Sequence, residues 1–359
     1  GSQYVGMLRE LTCLLPEAID SLAEADLRVE SGQPTISECV YPTPSFSPDA
    51  PAEQKARLVR TEIAQPALGA VCLSAWKALK RFDLQPDMFA GHSYGELVAL
   101  CAAGRFDEAK LHDLSKLRGR LMSSQDVDRG TMLAVKGPIE DVAKLIESRR
   151  IAVVVANRNS PVQCVLSGGR EAIAQAAEVC RENGFAAAPL SVSGAFHSSI
   201  MESATVPLRQ ALESLSFDAA GPCVYANTTA RPYPVDRDSA RDLLANQLLK
   251  PVDFVGQICA MYDDGARVFV SNANINTARV SVSDRMWRCP SIHRRGAMRA
   301  LAILPACWPA WDRWVLWSTC RDGRGRFVSR ARRRWSCRWW GRTIVHRRAR
   351  NLLSQVPRM

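Results

Sequence analysis

The stretch Met88-Phe89-Ala90-Gly91-His92-Ser93-Tyr94-Gly95, followed by Leu97-Val98-Ala99-Leu100-Cys101-Ala102-Ala103 and Gly104, decides the fold. A short apolar run, a G-x-S-x-G turn and a run of small and apolar residues, in that order, make the pattern of a nucleophile elbow. A sharp strand-to-helix turn forces its central residue into a strained backbone conformation. Glycine two positions to either side removes side chains that would collide. The serine oxygen then stands at the start of a helix, where unpaired backbone N–H groups can receive a developing negative charge. A chance Gly/Ser turn gives the same five letters; the flanking strand and helix patterns favour the elbow.

Upstream of the turn, Leu11, Leu14, Leu15, Ile19 and Leu22 recur at helical spacing. Residues 31–54 are rich in Pro and Ser and read as a surface loop. Glu62 to Leu79 reads as a helix with Pro66 in its first turn, where a missing N–H costs little. Downstream, Phe106 to Met122 is helical, with Leu111, Leu114, Leu117 and Leu121 on one side and Arg118 beside Gly119. Residues 130–191 read as a unit of their own. Strands are expected at Thr131–Val135, Ile151–Ala156, Cys164–Ser167 and Ala186–Val192, and helices at Ile139–Glu147 and Glu171–Asn183. That βαββαβ order is the ferredoxin-like arrangement. Beyond it come a helix over 200–213, a strand at Cys223–Ala226, helices at Ser239–Leu249 and Phe254–Tyr262, and a buried strand starting at Ala266–Val270. The expected fold class is α/β. An α/β-hydrolase-like core with a parallel sheet, built from 1–129 and 192–270, carries the ferredoxin-like subdomain 130–191 as an insertion.

The 359 residues have room for two domains, and the apolar fraction of 47% is ordinary for a globular protein. No apolar run reaches the roughly 18 residues of a membrane span, and no basic-then-apolar leader opens the chain. Twelve scattered cysteines, with no C-x-x-C pair, suggest neither a metal site nor a disulfide framework, and fit a reducing cytoplasm. The net charge of +11 belongs to one end. Residues 271–359 hold 20 Arg, 3 Asp and neither Lys nor Glu, a net +17, together with eight of the nine Trp; residues 1–270 carry −6. That tail lacks the apolar periodicity of the earlier chain. It reads as an aberrant or disordered segment, such as a gene end translated out of frame. The competing reading is an Arg/Trp-rich nucleic-acid-binding tail, with guanidiniums on phosphate and indoles on bases. No folded module or regular basic stripe supports it.

A serine hydroxyl needs a base to take its proton. Of five histidines, His92 is inside the turn, His112 lies on the following helix, and His293 and His346 fall in the tail. His197, in Ser193-Gly194-Ala195-Phe196-His197-Ser198, is the remaining candidate. A lone histidine after a strand is often structural, and the serine turn upstream is what favours a base here. Arg118 is the third piece. On an apolar helix face it either snorkels to solvent or points into a cleft, where its fork matches a carboxylate bidentately.

Together, Gly91-His92-Ser93-Tyr94-Gly95-Glu96, Leu117-Arg118-Gly119 and Gly194-Ala195-Phe196-His197-Ser198 resemble the acyltransferase family. It comprises malonyl-CoA:acyl-carrier-protein transacylases and the acyltransferase domains of polyketide and polyunsaturated fatty acid synthases. Gly1-Ser2-Gln3-Tyr4-Val5-Gly6-Met7, Gln65-Pro66-Ala67, Ala156-Asn157-Arg158-Asn159-Ser160-Pro161 and Tyr225-Ala226-Asn227 extend the match, in order, to about residue 270. The resemblance implies that Ser93 attacks malonyl-CoA with His197 as general base. The acyl group then passes to the phosphopantetheine thiol of an acyl carrier protein, with no bound cofactor or metal. It implies further that Arg118 holds the malonyl carboxylate, Gln65 lines the site and the Tyr94 N–H is an oxyanion donor. A backbone carbonyl near Asp253 orients His197, and Phe196 marks malonyl selection. Two departures accompany it. The chain opens inside the family's first glycine-rich motif, without its preceding strand and second oxyanion residue, and Ser271-Asn272-Ala273 stands where a Gly-Pro-Gly turn is usual. One lost oxyanion donor costs about 10²–10³ in rate. The implied protein is a fragment of a multidomain synthase, acting without membrane or nucleic acid, whose activity does not depend on residues 271–359.

Two other classes use parts of the same pattern. A serine thioesterase or esterase of the α/β-hydrolase class has the same turn but places an acid between Ser and His, for which Asp126 or Asp128 can be nominated. It leaves Arg118 and the inserted unit without a role. An inactive fragment whose basic tail binds nucleic acid is the other.

Overall fold

Two helices, α1 (Arg9–Leu14) and α2 (Pro16–Asp26), share the first stretch of helical spacing, because Pro16 can open a helix but not continue one. The computed structural model describes residues 2–81, 83–123, 130–190, 192, 194–218, 220–266 and 269–270, and the backbone of 271 and 301–303. The expected loop 31–54 contains one helix, α3 (Ile36–Val40), and the start of another, α4 (Ala50–Val59). The physical reason for α3 is a capping box. The Thr35 hydroxyl accepts from the Glu38 N–H, and the Glu38 carboxylate accepts from the Thr35 N–H at 2.8 Å. In α5 (Thr61–Arg81), Pro66 lies inside the helix just past its first turn, one residue deeper than expected, since the helix begins at Thr61 directly after a bend at Arg60.

β1 (Met88–Ala90) feeds α6 (Gly95–Ala102), and α7 (Glu108–Ser123) returns across α5. At their crossing a Cβ on Gly119 would sit 2.8 Å from Glu62 Cα, so only glycine lets α7 approach there. β6 (Cys223–Tyr225) pairs with β1 in parallel, with Phe89 opposite Val224. α10 (Glu202–Glu213) and α11 (Arg237–Asn246) cover this pair. Leu97, Leu100, Leu111, Leu208, Leu212, Val224 and Leu244 form the core between them.

Between α7 and α10 the chain builds β2 (Thr131–Lys136), α8 (Ile139–Ser148), β3 (Val153–Ser160), β4 (Gln163–Gly168), α9 (Arg170–Glu182) and β5 (Ala186–Pro189). The strands order as β5-β2-β4-β3, antiparallel throughout, over a core of Leu133, Val142, Ile146, Leu166, Ile173 and Cys180. β7 (Val252–Asp253) adds a parallel fifth strand beside β3 and leads into α12 (Phe254–Asp263). The molecule is thus mixed α/β with parallel pairing at the strand that carries the serine turn.

β8 (Phe269–Ser271) differs from the buried strand expected. Val270 is 37% exposed, and β8 pairs in parallel with β9 (Leu301–Ile303) instead of joining β1 and β6. The rest of the Arg/Trp-rich tail, and Asp126 and Asp128, lie outside the described residues. No helix among the described residues is long and apolar enough to cross a membrane.

Candidate active site

Ser93 occupies the turn between β1 and α6 with φ 51°, a left-handed conformation that costs a non-glycine residue energy. A Cβ on Gly91 would lie 2.0 Å from the Gly95 carbonyl carbon, so the turn closes only with glycine there. Both flanking peptide groups of the serine are tied from distant parts of the chain. The Ser93 N–H donates to Asn227 Oδ1 at 2.6 Å, and the Ser93 carbonyl accepts from Gln247 Nε2 at 2.7 Å. Tyr94 and α6 follow directly, and the Gly95 and Glu96 N–H groups close the turn on the His92 carbonyl at 2.9 Å and the Ser93 carbonyl at 3.0 Å.

His197, 3% exposed, reaches Ser93 Oγ through Nε2 at 2.8 Å. Its Nδ1 faces two main-chain carbonyls, Gln247 O at 2.9 Å and Lys250 O at 3.1 Å. A carbonyl only accepts, so Nδ1 carries the proton and Nε2 is left as the acceptor for the serine hydroxyl. The orienting carbonyls belong to the segment before Asp253, a few residues earlier than the resemblance implies. Burial, and then the nearby Arg118 charge, push the imidazole pKa down to about 3, so the ring is neutral at neutral pH.

Arg118 is 2% exposed on α7, aimed into the site rather than to solvent. Nη1 donates to Gln65 Oε1 at 2.8 Å, Nη2 donates to Gln247 Oε1 at 3.1 Å, and the guanidinium carbon lies 6.0 Å from the Tyr94 ring centroid. Among the described residues no carboxylate lies within ion-pair distance of it. Burial pulls its pKa down to about 10, against the through-space pull of the buried Glu96 carboxylate, which Gln247 bridges to it. A buried guanidinium without a direct carboxylate contact can receive an anion. Gln65 also donates from Nε2 to Met122 Sδ at 3.2 Å, and the Tyr94 hydroxyl meets Ser115 Oγ at 2.6 Å. Phe196, next to the histidine in sequence, packs against the core under the turn.

The sequence points to Ser93, Tyr94, Arg118, Gln65, Phe196 and His197; the structure joins Ser93 to His197 and Arg118 to Gln65, sets the Tyr94 ring by the guanidinium, and packs Phe196 against the core. The sequence assigns no role to Glu96, Asn227 or Gln247. Glu96 is 1% exposed and accepts from the Tyr233 hydroxyl, from Gln247 Nε2 at 2.8 Å and from the Asn227 N–H at 3.1 Å. Burial raises its pKa to about 6 against those hydrogen bonds. His92 also binds outward: Nε2 meets Asn159 Oδ1 at 2.7 Å, linking the turn to β3. A polar residue two positions after an apolar strand, as Asn227 is after β6, is a local signal; Gln247 has none.

Residues 1–274 match the family model described as an acyl transferase domain. The chain is 32% identical over 303 residues to a polyunsaturated fatty acid synthase polypeptide of Thraustochytrium sp., covering 81% of this chain and 10% of that protein. It is 31% identical over 276 residues to the malonyl CoA-acyl carrier protein transacylase of Bacillus subtilis, covering 75% of this chain and 83% of that one. Among solved structures, the malonyl CoA-acyl carrier protein transacylase of Coxiella burnetii superposes with a TM-score of 0.70 at 27% identity, over 85% of this chain and 90% of that one. The chain thus spans about a tenth of the synthase it matches and most of these two transacylases.

Proposed function

The chain belongs to the acyl transferase domain family, and from that premise we propose that it moves a malonyl group from malonyl-CoA to the phosphopantetheine thiol of an acyl carrier protein. The observation that carries this reading is the buried Arg118, in direct contact with no carboxylate among the described residues, beside the Ser93–His197 pair. The serine and histidine supply acyl transfer; the guanidinium supplies the preference for an acyl group that ends in a carboxylate.

In the first half-reaction the Ser93 hydroxyl proton passes to His197 Nε2 while Oγ attacks the thioester carbonyl. The C–S bond breaks, and His197 returns the proton to the departing CoA sulfur. In the second, the carrier thiol gives its proton to His197, attacks the malonyl-serine ester and releases Ser93 Oγ, which takes the proton back. The carbonyls of Gln247 and Lys250 hold the imidazole tautomer, a role an Asp plays in hydrolase triads. The Tyr94 N–H at the start of α6 serves as an oxyanion donor, and Gln65 and Phe196 shape the acyl pocket.

We read the β1–Ser93–α6 turn as a nucleophile elbow, supported by its left-handed φ and by the missing Cβ of Gly91. We read residues 130–191 as a ferredoxin-like subdomain inserted between 1–129 and 192–270. The β5-β2-β4-β3 order and the separate core support it. The thioesterase alternative is weaker: at Nδ1, His197 meets carbonyls where a hydrolase places a carboxylate. The test is transfer itself. The full chain, mixed with malonyl-CoA and a phosphopantetheinylated carrier protein, should malonylate the carrier faster than it hydrolyses malonyl-CoA. Hydrolysis without transfer to any carrier would favour the thioesterase.

A further inference from the structure

Gln247 takes no part in the proposed proton transfers, yet Ser93, Glu96, Arg118 and His197 all meet on it. It follows α11, is 1% exposed, and its main-chain carbonyl accepts from His197 Nδ1. Its side chain binds three other groups. Nε2 donates to the Ser93 carbonyl at 2.7 Å and to Glu96 Oε2 at 2.8 Å, while Oε1 accepts from Arg118 Nη2 at 3.1 Å. A carboxamide has two unlike ends. The Ser93 carbonyl and an ionised Glu96 only accept, so they require the NH₂ end; Arg118 only donates, so it requires the oxygen. The orientation is fixed from both sides. Glu96 is itself held by Tyr233 and Asn227.

We propose that Gln247 is a positioning residue that couples the acyl-recognising Arg118 to the serine turn, with the Glu96 carboxylate setting the direction of its amide. The proposal rests on the reading of Arg118 as the partner of the malonyl carboxylate. Two of the guanidinium's five N–H donors go to Gln65 and Gln247, which fixes the plane of the fork and leaves the other donors for substrate. Reversing the Gln247 amide would set its NH₂ against a donor-only cation and swing that fork away. Glu96, which does not touch Arg118 through any hydrogen bond, would then control acyl selectivity at one remove.

The test compares single-turnover acylation of Ser93 by malonyl-CoA and by acetyl-CoA in the full chain. Glu96→Leu removes the acceptor that Gln247 Nε2 now finds, whereas Glu96→Gln keeps an oxygen facing both Gln247 Nε2 and the Asn227 N–H, turns its NH₂ to the Tyr233 hydroxyl, and serves as the conservative control. Gln247→Glu keeps the shape but pairs Arg118 internally. Glu96→Leu and Gln247→Glu should each lower the malonyl-to-acetyl ratio of kcat/KM by about tenfold to a hundredfold, the effect of one misdirected charge-assisted hydrogen bond, while Glu96→Gln should keep it near the parent value. The malonyl loss should fall mainly on KM. An unchanged ratio in Glu96→Leu and Gln247→Glu, however large the loss in overall rate, overturns the proposal and leaves Gln247 as a structural residue. Should either of those variants not fold, Gln247→Met, which fills similar space with neither end of the amide, decides by the same ratio: a fall supports the proposal and an unchanged ratio overturns it. If the parent chain takes neither acyl group, the functional reading fails before this proposal is reached. If it takes acetyl and malonyl equally, the role of Arg118 fails.

Discussion

Replacing Arg118 with alanine separates its two possible roles. A bidentate guanidinium–carboxylate contact comprises two charge-assisted hydrogen bonds, each contributing about 1.5–3 kcal/mol. Losing both should lower kcat/KM for malonyl-CoA by about 10²–10⁴. Acetyl-CoA has no carboxylate and should lose far less, on the order of tenfold, because Gln65 Oε1 and Gln247 Oε1 are left without their donor. Folding stability should change little. A guanidinium held at a pKa of about 10 is destabilised by burial by roughly 3 kcal/mol, and removing it offsets the hydrogen bonds that go with it. The assay is single-turnover acylation of Ser93, followed by intact-protein mass, with each acyl-CoA and with a thermal melt alongside. Equal losses for malonyl and acetyl would refute the reasoning and make Arg118 a structural residue.

Asn227→Ala removes the acceptor of the Ser93 N–H and should slow acylation by malonyl and acetyl alike, about tenfold to a hundredfold, with their ratio unchanged; a selective loss of either would contradict its placement on the serine turn. Gly91→Ala forces a Cβ to 2.0 Å from the Gly95 carbonyl carbon and should cost at least about 1–3 kcal/mol, read as a melting temperature lower by several degrees; an unchanged melt would show that the turn tolerates a side chain. His197 should stay neutral well below the ordinary histidine pKa, so its ring signals in an NMR titration should not move between pH 7 and about 5. The unfolded chain binds that proton from about pH 6.5 downward and the folded chain only near 3, so His197 contributes a loss of stability as pH falls through this window. A ring titrating near 6.5 would contradict the burial argument.

The serine turn was legible because its signals are local: an apolar strand, glycines at fixed offsets and a helical run within a few residues. The strands and helices of 130–191 were legible for the same reason, since alternation and helical spacing recur within each segment. α3 was hidden under Pro and Ser, although Thr35 and Glu38 stand at capping-box spacing. Pro66 sits deeper than its helix pattern suggests because the start of α5 is set by the bend at Arg60, not by the apolar face. The Glu96–Asn227–Gln247 network was invisible for a different reason. Its hydrogen bonds span more than 130 residues of sequence, and an isolated Gln at a helix end gives no periodicity or motif. Only the fold brings such residues together, and only then do their donor and acceptor ends become informative.

The central claim is that Ser93, activated by His197, takes a malonyl group and holds it for a carrier thiol. Intact-protein mass spectrometry of the full chain after mixing with malonyl-CoA, beside a Ser93→Ala control, tests it most directly. A malonyl adduct is expected on the parent chain, none on the control, and loss of the adduct when a phosphopantetheinylated carrier is added. A folded parent chain that stays unmodified, or a control that is modified equally, would contradict it.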